Sequence, residues 1–239
     1  MSVAIEHIAP ELVGLRIAQI SDLHLGFFLR AGYAEYVVKL IQSEAPDLIV
    51  LTGDMVDGVA QDALVAPLGK LVAPLGVYFV TGNHEYYWGA GAWVETFRRL
   101  GIVPLMNEHR VLSWHQHPFV LGGVTDANAY RFGPPSSVKK AFHGAPQGLL
   151  RILLAHQPKT VIDACKESVH LQLSGHTHGG QIFPLNIALR CITRYIEGLY
   201  DHEGVSLYVN PGTGFGGPPF RFMVRSEITV LELAQRGVV

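Results

Sequence analysis

Cysteine, net charge and basic residues are all scarce in this sequence. Its 239 residues include two cysteines, Cys165 and Cys191, and neither has the CxxC spacing of a metal-binding pair. We therefore expect two buried thiols, with a disulfide between them as the alternative. Charged residues make up 16% of the chain and the formal net charge is −2, so the sequence offers no basic surface and no nucleic-acid partner is expected.

The sequence also lacks a secretion signal and a long uninterrupted apolar run. Residues 1–10 have no basic start, and the most apolar stretch, residues 63–80, contains Lys70, two prolines and two glycines. We expect neither segment to be a signal peptide or a membrane span. A hydrophobic fraction of 49% and the absence of a linker-like segment predict one globular domain over residues 1–239.

Short apolar segments alternate with amphipathic segments in the first half of the chain, as in α/β proteins. Apolar runs predict buried strands at residues 15–20, 47–51, 76–80, 149–154 and 169–173. Helical spacing predicts helices at residues 33–43, 88–100 and 160–166. Shorter runs predict further strands at residues 111–113, 119–121, 206–209 and 227–233.

Polar side chains with metal-binding chemistry follow each of the five predicted buried strands. They are Asp22, His24, Asp54, Asn83, His84, His156, His176 and His178. Because ligand sites form at the carboxyl ends of strands in open α/β folds, we expect these side chains to converge. We expect Asp22 and His24 to lie in an extended segment, where residues i and i+2 point the same way, and likewise His176 and His178.

Imidazole and carboxylate ligands together suit Mn²⁺, Fe, Zn²⁺ and Co²⁺. Seven candidate ligands remain once His84, which neighbours Asn83 at one strand end, is set aside. That set is too large for one ion and fits two ions that share one carboxylate and hold a bridging hydroxide for attack on phosphorus. We therefore expect a centre of two divalent metal ions, with Mn²⁺ as the first candidate.

Five ordered motifs, SDLH, TGDMVD, TGNHE, AHQP and SGHTHGGQ, resemble those of the calcineurin-like metallophosphoesterases. The resemblance runs from about residue 15 to residue 233, which is nearly the whole chain. It implies an α/β fold in which two facing mixed β-sheets are flanked by helices, in the layer order α/β/β/α. It also implies metal-dependent hydrolysis of a P–O bond.

The same resemblance implies a role for each candidate site residue. The first metal would be held by Asp22, His24 and His178, the second by Asn83, His156 and His176, and both by a bridging Asp54. His84 would not bind a metal and would donate a hydrogen bond or proton to the leaving oxygen. Asp57 would orient the His84 imidazole, because a carboxylate on the far ring nitrogen favours the imidazolium form.

Longer segments, GNHEYYWG and GHTHGGQIFP, resemble a bacterial phosphodiesterase-type branch whose members are often attached to the membrane. Phosphoprotein phosphatases of the superfamily carry an arginine after the GDxxD motif, where this chain has Gly58. We therefore expect a phosphodiester or diphosphate substrate, either a small molecule or a lipid. A monomer is the favoured oligomeric state. The expected location is the cytoplasm or the surface of a bacterial membrane, where the chain could be a domain of an anchored protein.

Three other functions stay open: hydrolysis of a phospholipid or a UDP-diacylglucosamine-like lipid, hydrolysis of a phosphomonoester, and metal binding without catalysis. An apolar surface for a lipid-like or nucleoside group could come from the aromatic residues of the C-terminal half, although ordinary loop packing is the favoured interpretation. These residues are Tyr195, Tyr200, Phe215, Phe220 and Phe222. Arg221 and Arg225 are candidate phosphate contacts, and Glu85 is expected to point away from the metals.

Overall fold

The computed structural model describes residues 1–6, 8–131 and 133–236. In chain order, the strands in these ranges are β1 (Ser2–Ile5), β2 (Arg16–Ile20), β3 (Leu25–Gly26), β4 (Leu48–Leu51), β5 (Val56–Asp57), β6 (Val77–Phe79), β7 (Val103–Pro104), β8 (Glu108–Trp114), β9 (His117–Gly123), β10 (Arg151–Leu154), β11 (Leu171–Ser174), β12 (Gly198–His202), β13 (Val205–Val209) and β14 (Thr229–Gln235). The α-helices are α1 (Ala31–Ser43), α2 (Asp62–Val65), α3 (Asn83–Tyr87), α4 (Ala90–Arg99), α5 (Val138–Ala141), α6 (Val161–Ala164) and α7 (Leu185–Ile192).

Two six-stranded sheets and one small two-stranded sheet organise the described residues. The first large sheet has the order β1-β14-β2-β4-β6-β7, and the second has the order β12-β13-β11-β10-β9-β8. Both are mixed, because parallel strands at the centre are joined to antiparallel partners such as β14 beside β2 and β8 beside β9. The small sheet pairs β3 with β5 and thereby links the segments that follow β2 and β4.

Three clusters of buried apolar side chains define the layers. One cluster lies between the sheets and combines Ile17 and Val50 of the first with Leu121 and Leu173 of the second. Another packs α1 and α4 on the outer face of the first sheet, and a third packs α5 and α6 on the outer face of the second. The α/β/β/α sandwich expected from the sequence is therefore confirmed.

Helix α1 shows why the sequence pattern located the outer layer well. Its buried residues Ala34, Val37, Val38 and Ile41 recur at helical spacing and form one apolar stripe against the sheet. The helix ends at Ser43, just before Pro46, which disfavours helical backbone in the residue that precedes it. The predicted range of residues 33–43 was two residues short at the start.

Other expectations need correction. The helix predicted at residues 88–100 is shorter, Ala90–Arg99, and it follows a separate short helix, α3, after a left-handed Gly89. Strands β1 and β12, at the edges of their sheets, and helix α7, which has no buried residue, were not predicted. Cys165 is half-buried and Cys191 is exposed, so the expectation of two buried thiols was wrong, and both are free. None of the helices in the described ranges has the length and apolar character needed to cross a bilayer.

Candidate metal centre

The candidate residues converge where the central strands of both sheets end. Asp22 and His24 follow β2, Asp54 follows β4, and α3 opens with Asn83 and His84 just after β6. The second sheet contributes His156 after β10 and His176 and His178 after β11. Backbone bonds tie the loops of the first sheet together, since Asp22 N donates to Gly53 O and His24 N donates to Asp54 O, both at 3.0 Å.

The loops do not have the extended backbone that the D-x-H and H-x-H spacings suggested. The proposed ligands Asp22, His24, Asp54, His176 and His178 all have a positive φ, between 48° and 77°. Left-handed backbone is uncommon for residues other than glycine and costs about 1–3 kcal/mol each, so it persists only where the surroundings enforce it. The side chains therefore converge because each loop turns sharply after its strand, and the prediction of extended pairs was wrong.

The first cluster consists of Asp22, His24 and His178, whose ligand atoms lie within 4.8 Å of one another. His24 Nε2 and His178 Nε2 are 3.1 Å apart, and His178 Nε2 is 3.5 Å from Asp22 Oδ1. Burial and the nearby His24 and Arg221, partly offset by the charge of Asp22, lower the pKa of His178 to about 4. The neutral imidazole that a metal ligand requires is thus the stable form at neutral pH.

The second cluster consists of Asp54, His156 and His176. His156 Nδ1 donates to Thr52 O at 2.8 Å, so Nε2 carries the lone pair in the neutral ring, and this nitrogen lies 3.2 Å from Asp54 Oδ2. Although burial favours the neutral ring, the charge of Asp54 raises the pKa of His156 well above its usual range, so a metal ion would displace the Nε2 proton. His156 Nε2 is also 3.2 Å from His176 Nδ1. A backbone carbonyl on the far ring nitrogen is the usual way to fix the tautomer of a metal-binding histidine.

Asn83 supplies an independent sign that a cation fits this cluster. Its Oδ1 is buried and has no hydrogen-bond partner among the described residues. A buried acceptor without a donor costs about 1–3 kcal/mol, so most such atoms in native proteins have a partner. This oxygen lies at the start of α3, next to His84 whose backbone N–H donates to Asp54, and an unpartnered amide oxygen there fits a divalent metal ion with mixed nitrogen and oxygen ligands.

Asp54 lies between the two clusters. Its Oδ2 is 3.2 Å from His156 Nε2 and 4.0 Å from both His24 Nε2 and His84 Nε2, while Oδ1 accepts the His84 backbone N–H at 2.8 Å. Although burial favours its protonated form, the three imidazoles hold the pKa of Asp54 far below the usual range. A permanently charged, fully buried carboxylate at this position can reach ligands of both clusters.

Asp57 contacts two imidazoles, whereas the sequence assigned it only one. Its Oδ1 accepts a short hydrogen bond from His84 Nδ1, and its Oδ2 accepts one from His24 Nδ1 at 3.0 Å. These bonds outweigh burial and hold the pKa of Asp57 well below the usual range. Burial alone would lower the pKa of His84, but the Asp57 bond and the charges of Asp54, Asp57 and Glu85 raise it. The His84 side chain is 27% exposed, so its Nε2 is accessible from solvent.

Glu85 is fully buried and supports the backbone of the site, as its predicted structural role requires. One carboxylate oxygen accepts the backbone N–H groups of Gly82 at 2.6 Å and Asp54 at 3.0 Å, and the other accepts that of Met55 at 2.7 Å. Burial and the Asp54 charge raise the pKa of Glu85 to about 7, against these donors. The Glu85 side chain therefore joins the loop that contains Asp54 to the start of α3.

We expect Glu85→Ala to lower the free energy of unfolding by roughly 3 kcal/mol or more, because three buried N–H groups lose their acceptor. The measurement is urea unfolding followed by circular dichroism. Glu95→Ala is the matched control: Glu95 is exposed on α4, where its ion pair with Arg98 contributes little. Equal urea midpoints for the two variants would contradict the supporting role of Glu85.

The glycine-rich segment 211–222 closes over the first cluster. A side chain at Gly216 would place its Cβ 2.8 Å from His178 Nε2 and 3.1 Å from His24 Nε2, so this position leaves room only for glycine. The Arg221 guanidinium is half-buried and donates to backbone carbonyls of His178, Pro211, Gly212, Gly214 and Arg225. Arg221 therefore holds the loop beside His178, and a phosphate contact from Arg221 or Arg225 stays a prediction.

The aromatic residues of the same region divide into two groups. Tyr195 is buried and packs edge-on against Tyr200, as ordinary packing predicts. Phe220 and Phe222 are about half exposed, so the packing interpretation was wrong for them. Phe215 extends the group toward Phe28, whose ring centroid is 6.3 Å away. Exposure of these rings could not be read from the sequence, where only their apolar character is visible.

Known proteins share both the sequence pattern and the fold. The family described as calcineurin-like phosphoesterase matches residues 15–180. The chain is 38% identical, over 98% of its length, to a Bos taurus protein named transmembrane protein with metallophosphoesterase domain, of which 56% is covered. It is 33% identical, over 95% of its length, to an uncharacterized metallophosphoesterase of Aquifex aeolicus, of which 88% is covered.

A solved structure shows the same fold at low identity. The 5′-nucleotidase precursor from Thermus thermophilus superposes with a TM-score of 0.57 at 14% identity, over 92% of this chain and 54% of that one. The chain spans little more than half the length of the vertebrate relatives that it matches.

Proposed function

The chain belongs to the calcineurin-like phosphoesterase family, and from that premise we propose that it hydrolyses P–O bonds with two divalent metal ions, preferring a phosphodiester or a diphosphate. The observation that carries the proposal is the pair of ligand clusters on either side of Asp54, with His84 on the accessible side. Mn²⁺ is the first candidate, and Fe, Zn²⁺ or Co²⁺ are alternatives. When bound, such ions act as Lewis acids and lower the pKa of a water molecule toward neutrality.

In this proposal the chain's own residues divide the work. One ion would be held by Asp22, His24 and His178, the other by Asn83, His156 and His176, and Asp54 would serve both. The hydrogen bond from His156 to Thr52 and that from His24 to Asp57 aim Nε2 of each ring into the site. These bonds are formed before substrate arrives, which lowers the reorganisation that the reaction requires.

His84 would act as the general acid. Asp57 fixes its Nδ1 as the hydrogen-bonded nitrogen, so the proton on Nε2 is the one available to a leaving oxygen. Because the pKa of His84 is raised, its ring keeps that proton to higher pH than an ordinary imidazole would. A general acid matters most when the leaving group is a poor one, such as the alkoxide of a lipid or sugar phosphodiester.

The absence of an arginine at Gly58 supports the preference for a less charged substrate. A Cβ built on Gly58 meets no atom within 4 Å, and its carbonyl accepts the Trp93 indole N–H at 2.9 Å. Arg221 keeps its positive charge beside His178, but its guanidinium N–H groups donate to loop carbonyls and do not take the place of an arginine at Gly58. A phosphomonoester dianion, which needs more cationic donors than a diester monoanion, would therefore be the less favoured substrate.

The test is hydrolysis of bis(p-nitrophenyl) phosphate and p-nitrophenyl phosphate by protein that has been stripped with a chelator and reloaded with each candidate metal. We expect Mn²⁺ to raise kcat/KM for the diester by at least about a hundredfold over the stripped protein, as Lewis-acid activation of water implies. We also expect the diester to be the better substrate. No turnover of either compound with any of the metals would overturn the proposal and leave metal binding without catalysis.

A further inference from the structure

Several large apolar side chains near the metal centre are exposed to solvent instead of packing in the core. We call this surface the apolar rim and define it by Phe27, Phe28, Leu185, Ile192, Phe222 and Met223. The most exposed are Ile192 at 82%, Phe27 at 77%, Met223 at 74% and Leu185 at 62%. Several large apolar side chains exposed in neighbouring segments are typical of a binding surface for a protein or a membrane.

The segments that form the apolar rim are joined to one another. Phe183 N donates to Phe222 O at 3.0 Å, and Phe222 N donates to Gln181 O at 3.1 Å, so the start of α7 lies beside the end of the glycine-rich loop. The contact of Phe28 with Phe215 connects the segment after β3 to that loop. Because Gly216 of the same loop lies against His178 and His24, the rim borders the proposed catalytic centre.

Helix α7 itself behaves as a surface helix with its apolar side chains outward. None of its residues is buried, and Leu185, Ile187 and Ile192 are each more than half exposed. Arg190 lies in its last turn and Arg194 follows it. Apolar side chains combined with arginines on a helix without a protein partner are typical of helices that lie in the interface of a bilayer.

The charge of the rim segments indicates which kind of partner fits. Residues 23–34, 181–196 and 211–226 carry five arginines and no aspartate or glutamate, whereas the whole chain has a formal net charge of −2. Arg30, Arg194 and Arg225 are exposed and form no ion pair with the described residues. Cations clustered around exposed apolar side chains are complementary to an anionic lipid surface, where phosphate groups overlie the acyl chains.

We propose that the apolar rim docks the protein on the surface of an anionic lipid bilayer, with α7 and the glycine-rich loop as the contact elements. Docking in this orientation brings the metal centre to the level of the lipid phosphates. A phosphoester within or just above the membrane would then reach His84 without leaving the interface. This inference concerns binding and does not depend on hydrolysis, although it adds a membrane location to the proposed activity.

The test is flotation of the purified chain with vesicles of phosphatidylcholine, with and without phosphatidylglycerol, in the absence of any substrate. We expect binding to the anionic vesicles only, with loss of binding as salt is raised, because salt screens the attraction between arginines and phosphates. Each arginine near an anionic surface raises partitioning about fivefold, so Arg194→Gln with Arg225→Gln should weaken binding about 25-fold. Leu185→Ser with Ile192→Ser should weaken vesicle binding by at least about tenfold, because less apolar surface inserts into the bilayer.

Matched controls remove the same chemistry elsewhere. Lys39→Gln with Lys70→Gln removes two exposed cations, and Val72→Ser with Ile162→Ser removes two exposed apolar side chains, all outside the rim. Both control proteins are expected to bind vesicles as the unmodified chain does, and urea unfolding checks that all four variants are folded. Equal binding to neutral and anionic vesicles, or equal losses in the controls, would overturn the proposal. The proposal would also be overturned if the unmodified chain bound no vesicles and formed a dimer that the Leu185→Ser, Ile192→Ser protein could not form.

Discussion

Asp54→Asn is expected to lower kcat/KM for a phosphodiester by at least about a thousandfold, or roughly 4 kcal/mol of transition-state stabilisation. The substitution keeps the shape of the side chain but removes the one charge that lies between the two ligand clusters. One carboxylate oxygen is replaced by an amide nitrogen. If this nitrogen takes the place of Oδ1, it faces the His84 backbone N–H, which is also a donor. If it takes the place of Oδ2, the oxygen that lies beside His156 is lost. Both orientations leave a weaker ligand set for each ion.

The direct readout is the amount of metal retained per chain after dialysis, measured by mass spectrometry alongside kcat/KM. We expect the unmodified chain to retain two ions and the Asp54→Asn protein to retain fewer. Asp62→Asn is the matched control, because Asp62 is an exposed carboxylate whose ion pair with Arg99 lies away from the site. If the Asp54→Asn protein kept both ions and stayed within about tenfold of the control, the bridging role would be refuted.

Much of the site could be predicted because its chemistry depends on features that a sequence displays directly. The buried strands β4 and β6 are continuous apolar runs and β2 is mostly apolar, and each is followed within four residues by Asp or Asn. Parallel strands end at the same edge of a sheet, so the polar residues after them must gather there. The two-sheet sandwich followed from the family motifs rather than from the apolar pattern, which does not reveal how two sheets face each other.

The parts that could not be predicted are those that depend on loop conformation and on contacts between distant segments. The left-handed backbone of Asp22, His24 and Asp54 has no signature in residue type, since aspartate and histidine also occupy ordinary strands. Asp57 meets His24 where β3 pairs with β5, and it meets His84 where α3 contacts β5. Two strands of two residues each are too short to recognise in a sequence. Helix α7 lacks the buried stripe on which helix prediction relies.

The double contact of Asp57 changes what its removal should do. In the sequence interpretation Asp57 served only the acid, so its loss would have left the metal ligands untouched. The structure shows one carboxylate bonded to both His84 and the proposed ligand His24. Loss of Asp57 is therefore expected to weaken the first metal position as well as the acid, and assays of an Asp57 variant require saturating metal to separate the two effects.

His84→Ala is expected to lower kcat by about 10²- to 10⁴-fold for a diester with an alkoxide leaving group, and by less than about tenfold for one with p-nitrophenolate. The difference arises because p-nitrophenolate departs without a proton, whereas an alkoxide requires one from His84 Nε2. His143→Ala is the matched control, since His143 is an exposed imidazole outside the site. Equal losses with both leaving groups would mean that His84 supports the site in another way.

The pH profile tests the same role through Asp57, at saturating metal and with the alkoxide-leaving diester. Because the Asp57 bond and the nearby carboxylates raise the pKa of His84, the acid should stay protonated to higher pH than an ordinary imidazole, and activity should fall as pH rises above the raised pKa. Asp57→Asn removes the carboxylate charge and leaves one acceptor oxygen for two imidazole N–H groups, so the alkaline limb should move to lower pH. In the His84→Ala protein that limb should vanish, since the titrating group is gone. An alkaline limb at the same pH in all three proteins would assign the titration to another group and remove His84 from the chemistry.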